Sequence, residues 1–161
     1  MPNSETFTIK PIKELIEREL TEGVWIDPFV RNSIFKDLMT YTNDINPAIK
    51  ATHNLEALEF FKLIEDNSVD GLLFDPPYSN RQVKECYEGI GRPVTMYDTQ
   101  SPWTAFKKEI ARVVKPQGKV IRCGWNSGGI GKSLDFEMKE VLLVPHGGNR
   151  NDTIVTVEYK L

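Results

Sequence analysis

The sequence predicts an α/β fold, a doubly wound, mostly parallel sheet closed by a C-terminal antiparallel hairpin. Three observations predict it. Strand-like apolar runs and helical stretches alternate five times along the 161 residues. Two strand patterns, Phe136–Val144 and residues 153–159, flank His146-Gly147-Gly148-Asn149, a hairpin signal. No linker, repeat or low-complexity tract interrupts the chain, so residues 1–161 are expected to form one domain.

Each element follows from local pattern. Residues 10–20 place Ile12, Leu15, Ile16 and Leu20 at helical spacing, and Gly23 ends that helix. Residues 24–26 are a short buried strand ending at Asp27. A short helix is expected over 33–39, then a strand over 40–43 ending at Asp44. Residues 49–52 read as a third strand and 55–64 as a helix with an apolar stripe. Val69–Phe74 is the clearest buried strand, broken by Pro76-Pro77. Residues 79–102 are loop-like with some helix. Residues 103–114 form a helix closed by Lys115-Pro116-Gln117-Gly118, and 119–123 a fifth strand. Ligands of such sheets lie beyond the carboxyl ends of the strands. Asp27, Asp44, Glu56 (just past the expected third strand) and Asp75 all fall there. A helix N-cap explains any one of these acids; four along one edge point to a ligand.

Composition bounds the function. Hydrophobic content of 40% and charged content of 27% describe a globular protein. The stretch MPNSETFTIK has no secretory pattern, and no run approaches the roughly 18 apolar residues that span a bilayer, so no membrane partner is expected. Cys86 and Cys123 lack metal or redox spacing and read as reduced thiols, which suits a cytoplasmic location. His53 and His146 do not suggest a metal pair, and no metal is assigned. The net charge of −3 is unevenly distributed. Residues 1–70 carry seven Lys/Arg and thirteen Asp/Glu, whereas 79–132 carry ten and four. A basic side on an acidic protein suits a polyanion, although a solvated helix around Lys107-Lys108 explains it equally.

The sharpest signal is Phe74-Asp75-Pro76-Pro77-Tyr78-Ser79 at the end of an apolar strand. An exocyclic amine is a poor nucleophile because its lone pair is delocalised into the ring. Asp75 can accept one amine hydrogen and the Pro76 carbonyl the other, drawing the nitrogen towards sp³ geometry. Pro76 and Pro77 pre-set the backbone that aims that carbonyl. Tyr78 offers a face for a flipped-out base, typically worth ~1–3 kcal/mol. Positioning, rather than a strong base, supplies the rate.

This loop resembles the catalytic loop of the small N6-adenine-specific DNA methyltransferases of the Asp-Pro-Pro-Tyr type, such as those of phages and mobile elements. The resemblance implies a Rossmann-like class I methyltransferase fold with no separate target-recognition domain and S-adenosylmethionine as cofactor. It also implies methyl transfer to adenine N6 in DNA, with catalytic residues Asp75, Pro76, Pro77 and Tyr78. Asp rather than Ser or Asn at 75 favours adenine over N4-cytosine and protein glutamine. Ile9-Lys10-Pro11-Ile12 is similar to the family's Lys-Pro-led helix, which puts Lys10 among the cofactor-binding residues. Trp25-Ile26-Asp27-Pro28-Phe29 looks like the cofactor turn, with Asp27 and Phe29 near the methionine part. Asp44 looks like the ribose acid and Glu56 like the acid meeting the cofactor's adenine, while Asp75 borders the cofactor. Val120 to Ser127 matches the strand and loop that close over the target base, and residues 140–159 the antiparallel edge.

One departure stands out. The family turn continues Phe-x-Gly-x-Gly, whose glycines allow close backbone approach; here it reads Phe29-Val30-Arg31-Asn32-Ser33. Three explanations stay open: Asn32 turns left-handed, Arg31 pairs with the cofactor's carboxylate, or the site is degenerate. Arg31 and Asn32 therefore join the cofactor-binding candidates. Substrate contacts are expected from Tyr78, Ser79, Arg81, Trp125 and Asn126, with Lys84, Tyr87, Arg92, Tyr97 and Trp103 nearby. Tyr87 and Trp103 could equally be helix-core residues. Gly124 to Ser133 reads as a lid that orders on substrate; it lacks the full phosphate-binding P-loop pattern. The expected partner is nucleic acid, double-stranded DNA first. An RNA adenine methyltransferase and a non-catalytic subunit binding nucleic acid or a partner are the alternatives. A domain without a recognition module also allows a homodimer spanning DNA, although no stretch marks an interface.

Overall fold

The computed structural model describes residues 5–94 and 102–161. Its elements in chain order are α1 (Lys10–Glu19), β1 (Trp25–Asp27), β2 (Tyr41–Thr42), α2 (Ala57–Lys62), β3 (Val69–Phe74), α3 (Asn80–Gly89), α4 (Trp103–Val113), β4 (Val114–Gly124), β5 (Phe136–Val144) and β6 (Thr153–Lys160). They build a six-stranded sheet of order β2-β1-β3-β4-β6-β5. The first four strands are parallel, and β6 runs antiparallel between β4 and β5. This is the predicted mostly parallel sheet with an antiparallel edge.

Strand alternation builds two cores. Leu72 of β3 sits beside Val120 of β4, and Leu73 beside Ile121. Leu72, Phe74 and Val120 face α2 and α4, where Phe60, Phe61, Phe106 and Ile110 are buried. Leu73, Ile121 and Cys123 face the other way, onto Ile12, Leu15 and Ile16 of α1. Each such buried side chain contributes about 1.5–3 kcal/mol, which is why the central strands read as continuous apolar runs. Pro11, within the first turn of α1, gives up no needed N–H. The turn between α1 and β1 is fixed by Asp70, which accepts the Val24 N–H at 2.7 Å and pairs with Lys115 at 2.9 Å.

Four expectations change. The third strand at 49–52 is absent; a single bridge joins Asn43 to His53. Side chains replace the ladder here: Thr42 and Thr52 exchange backbone-to-hydroxyl bonds at 2.8 and 2.9 Å. Asn54 also caps three carbonyls, those of Asp44, Asn46 and Ile49. The helix at 33–39 shrinks to one 3-10 turn, Lys36–Leu38. The stretch after Ser79 is a ten-residue helix, α3, because Ser79 caps it by accepting the Gln82 N–H. The Lys115–Gly118 break is a loop-out within β4: Val114 pairs with Val69 and Lys119 with Gly71. No helix among the described residues is long and apolar enough to cross a membrane.

Candidate active site

The carboxyl ends of β1, β2 and β3 carry Asp27, Asn43-Asp44 and Asp75. Beside them opens a cavity of about 600 Å³. Phe29 forms its apolar base, edge-on to Phe74 and Phe106 with centroids 5.7 Å from each. Arg31, Asp44 and Glu56 line one side; Pro77 and, from α3, Tyr87 line the other. A segment expected to be largely loop is thus a wall of the site.

Asp27 is fully buried, and its Oδ1 accepts the Phe29 N–H at 2.9 Å. Its Oδ2 has no partner. Burial pushes this carboxyl up to about 7; the Phe29 N–H opposes the rise, and the nearby Asp75 and Asp44 reinforce it. Asp44 accepts the Arg31 N–H through Oδ2 at 3.0 Å and the Asn46 N–H through Oδ1 at 2.8 Å. A carboxylate has about four lone-pair positions, so two bonds leave it able to take a diol. Glu56 stands at the N-terminus of α2, accepts the Tyr87 hydroxyl and meets Arg92 at 3.5 Å. Burial raises the Tyr87 phenol, and its bond to the Glu56 carboxylate adds to the rise.

The Asp75 loop is braced from three directions. Arg31 Nη2 donates to Asp75 Oδ2 at 2.7 Å and to its carbonyl at 2.8 Å. The Tyr78 hydroxyl donates to Asp75 Oδ1, and the Tyr78 N–H donates to Gln82 Oε1 at 2.6 Å. Burial raises the Tyr78 phenol, with the Asp75 charge adding. The Tyr78 ring meets Trp125 edge-on, centroids 5.6 Å apart. Tyr78 is half-buried, and the more exposed ring of the pair is Trp125, at 40%. Pro76 is buried, and Pro77 is half-buried on the cavity.

The other expected residues divide. Asn32 lines the cavity, but the left-handed residue of this turn is Arg31, at φ 43°. Lys10 is not at the site: it lies on the polar face of α1, 86% exposed and 3.9 Å from Glu14. Ser79 caps α3. Arg81 is exposed and paired with Glu85 at 2.9 Å. The Asn126 carbonyl accepts from Arg122 Nη1 at 3.0 Å. Trp103 is half-buried against the core, edge-on to Phe74 and Phe106. Tyr97 lies outside the described residues. The basic side is largely neutralised in place: Arg81, Lys84, Arg92, Arg112, Lys115 and Lys119 each meet a carboxylate.

Several site residues escaped the sequence reading. Gln82 is one, although Ser79-x-x-Gln82 is a capping-box spacing that signals it. Arg122 is buried over the Trp103 ring at 5.4 Å, and burial lowers its guanidinium. Glu158, buried on β6, accepts the Ile130 and Gly131 N–H groups at 2.7 and 3.1 Å. It anchors the end of the glycine-rich loop expected to order only on substrate binding. Gly129 is required there: at φ 59°, an added Cβ would come within 2.5 Å of Glu158 Oε1.

No protein-family model and no curated protein matches the sequence. Solved structures do match the architecture. The N-methyltransferase NodS from Bradyrhizobium japonicum, in complex with S-adenosyl-L-homocysteine, aligns over 98% of this chain and 88% of its own, with TM-score 0.62 and 8% identity. The Burkholderia thailandensis 1,6-didemethyltoxoflavin-N1-methyltransferase, bound to its substrate and S-adenosylhomocysteine, aligns over 97% and 79%, with TM-score 0.57 and 11% identity. TrmN from Thermus thermophilus aligns over 92% of this chain and 48% of its own, with TM-score 0.59 and 16% identity. The chain has the fold of these methyltransferases. It spans under half the length of TrmN.

Proposed function

We propose that the chain is an S-adenosylmethionine-dependent methyltransferase that methylates the N6 amino group of adenine in double-stranded DNA. One observation carries the reading: Asp75-Pro76-Pro77-Tyr78 stands at the carboxyl end of β3, beside a cavity lined by Arg31, Asp44, Glu56 and Pro77. In open α/β sheets this is where ligands bind, and the volume is that of a small-ligand site. The donor set fits the cofactor. Asp44 retains lone pairs for the ribose hydroxyls, and Phe29 offers an apolar floor. The known methyltransferases of the same fold that hold S-adenosylhomocysteine support the same cofactor.

S-adenosylmethionine supplies an electrophilic methyl group on its sulfonium sulfur. The protein's part is orientation. Asp75 Oδ1 is held by the Tyr78 hydroxyl; as the target amine enters, one N–H takes over that bond and the Pro76 carbonyl accepts the other. The nitrogen lone pair would then face the cavity; as the N–C bond forms and the donor's methyl C–S bond breaks, leaving the thioether, the amine proton would pass to Asp75. Arg31 keeps the carboxylate fixed throughout. Trp125, exposed beside Tyr78, supplies the stacking surface. The nucleic-acid partner rests on this loop rather than on net charge, since the basic side chains are mostly paired. Calorimetry with S-adenosylmethionine tests the reading: 1:1 binding is expected, and no binding by the folded chain overturns it.

A further inference from the structure

Arg31 is an unusual occupant of its position. At φ 43° it holds a left-handed backbone that non-glycine residues adopt at an energetic cost, stabilised by its N–H bond to Asp44 Oδ2 at 3.0 Å. Nη2 is committed to the carboxylate and carbonyl of Asp75. Nη1 is buried and has no partner. A guanidinium is a rigid planar fork, so fixing one nitrogen fixes where the other points. A buried donor left unpaired is costly and marks a missing acceptor. Arg31 lines the cavity, and among the described lining residues it is the cation in a wall that includes Asp44, Glu56, Glu59 and Glu85. An orphan donor on a guanidinium that lines the cavity suits a ligand carboxylate.

We propose that Arg31 clamps the carboxylate of the donor's amino-acid end through Nη1 while holding Asp75 through Nη2, so that one side chain registers the methyl donor against the catalytic loop. The proposal rests on the methyltransferase reading and names the group that replaces the missing glycines of the turn. It makes Arg31 a specificity residue: the site discriminates between S-adenosyl ligands with and without a carboxylate.

Calorimetry with two ligands tests this, namely S-adenosylhomocysteine and its decarboxylated analogue, which keeps the amine and the thioether. The native protein is expected to prefer the carboxylate ligand by about 10–100-fold, the range of a buried charge-assisted bond. Arg31→Met is expected to reduce that preference to within about threefold, and Arg31→Lys to keep a preference above that of Arg31→Met. An unchanged preference in Arg31→Met overturns the assignment while leaving the methyltransferase reading intact. No binding of either ligand to the native protein overturns both. If Arg31→Met does not fold by circular dichroism, the native preference decides: equal binding of the two ligands by the native protein overturns the assignment.

Discussion

Asp27→Asn tests the electrostatics of the ligand edge. The native Asp27 carboxyl keeps its proton until about pH 7 because it is buried with Oδ2 unpaired, whereas in the unfolded chain it ionises near an ordinary value of about 4. Between these values the folded state binds more protons than the unfolded state. The stabilising contribution is therefore complete below about pH 4 and is lost as pH rises through about 7. At about 1.4 kcal/mol per pH unit, the whole effect is about 4 kcal/mol, of which about 3 kcal/mol falls between pH 5 and pH 8.5. Asn cannot ionise, and its Oδ1 can still accept the Phe29 N–H. Urea unfolding of both proteins without ligand, at the two pH values, isolates this group from the other titrations. The stability of Asp27→Asn relative to the native chain should rise by about 3 kcal/mol from pH 5 to pH 8.5. A difference constant to within about 0.5 kcal/mol, well under that linkage term, would refute the buried, protonated carboxyl.

Other outcomes follow from the same geometry. Asp75→Asn should lower methyl transfer at least about a hundredfold through lost positioning of the amine, with donor affinity by calorimetry changed only a few-fold. Trp125→Ala should weaken DNA binding by about 1–3 kcal/mol in fluorescence anisotropy, the worth of one stacked base, without changing donor binding. Gly71→Ala would place a Cβ 2.3 Å from the Trp25 ring, and chemical denaturation should show a loss of about 1–3 kcal/mol or more from overpacking. Gly129→Ala meets both an unfavourable φ and the Glu158 carboxylate. It should cost about 1–3 kcal/mol and speed amide exchange at Ile130 and Gly131.

The sequence was most legible where one pattern acted alone. Val69–Phe74 is apolar on both faces because the sheet is covered on both, and Pro76-Pro77 ends it abruptly; that placed the Asp75 loop correctly. The hairpin of β5 and β6 was visible for the same reason, as two strand patterns around paired glycines. Legibility failed where side chains took over backbone bonding. Thr42 and Thr52 satisfy each other through hydroxyls, so strand-like residues at 49–52 form no strand. In α3 the polar Asn80-Arg81-Gln82 start hid a helix whose cap, Ser79, was nevertheless present. The link from Arg31 to Asp75 spans 44 residues and has no local signature. Lys10 shows the opposite error: the Lys-Pro-led helix is there, but the ammonium lies on its solvent face.

The central claim concerns which atom receives a methyl group. Incubating the protein with labelled S-adenosylmethionine and separate DNA and RNA pools, then digesting to nucleosides for mass spectrometry, reads that atom directly. Label is predicted in N6-methyldeoxyadenosine from the DNA pool, and reduced at least about a hundredfold when Asp75→Asn replaces the native protein. Label in N6-methyladenosine from RNA alone would contradict the DNA assignment, and no labelled nucleoside from either pool would contradict the chemistry assigned to Asp75-Pro76-Pro77-Tyr78.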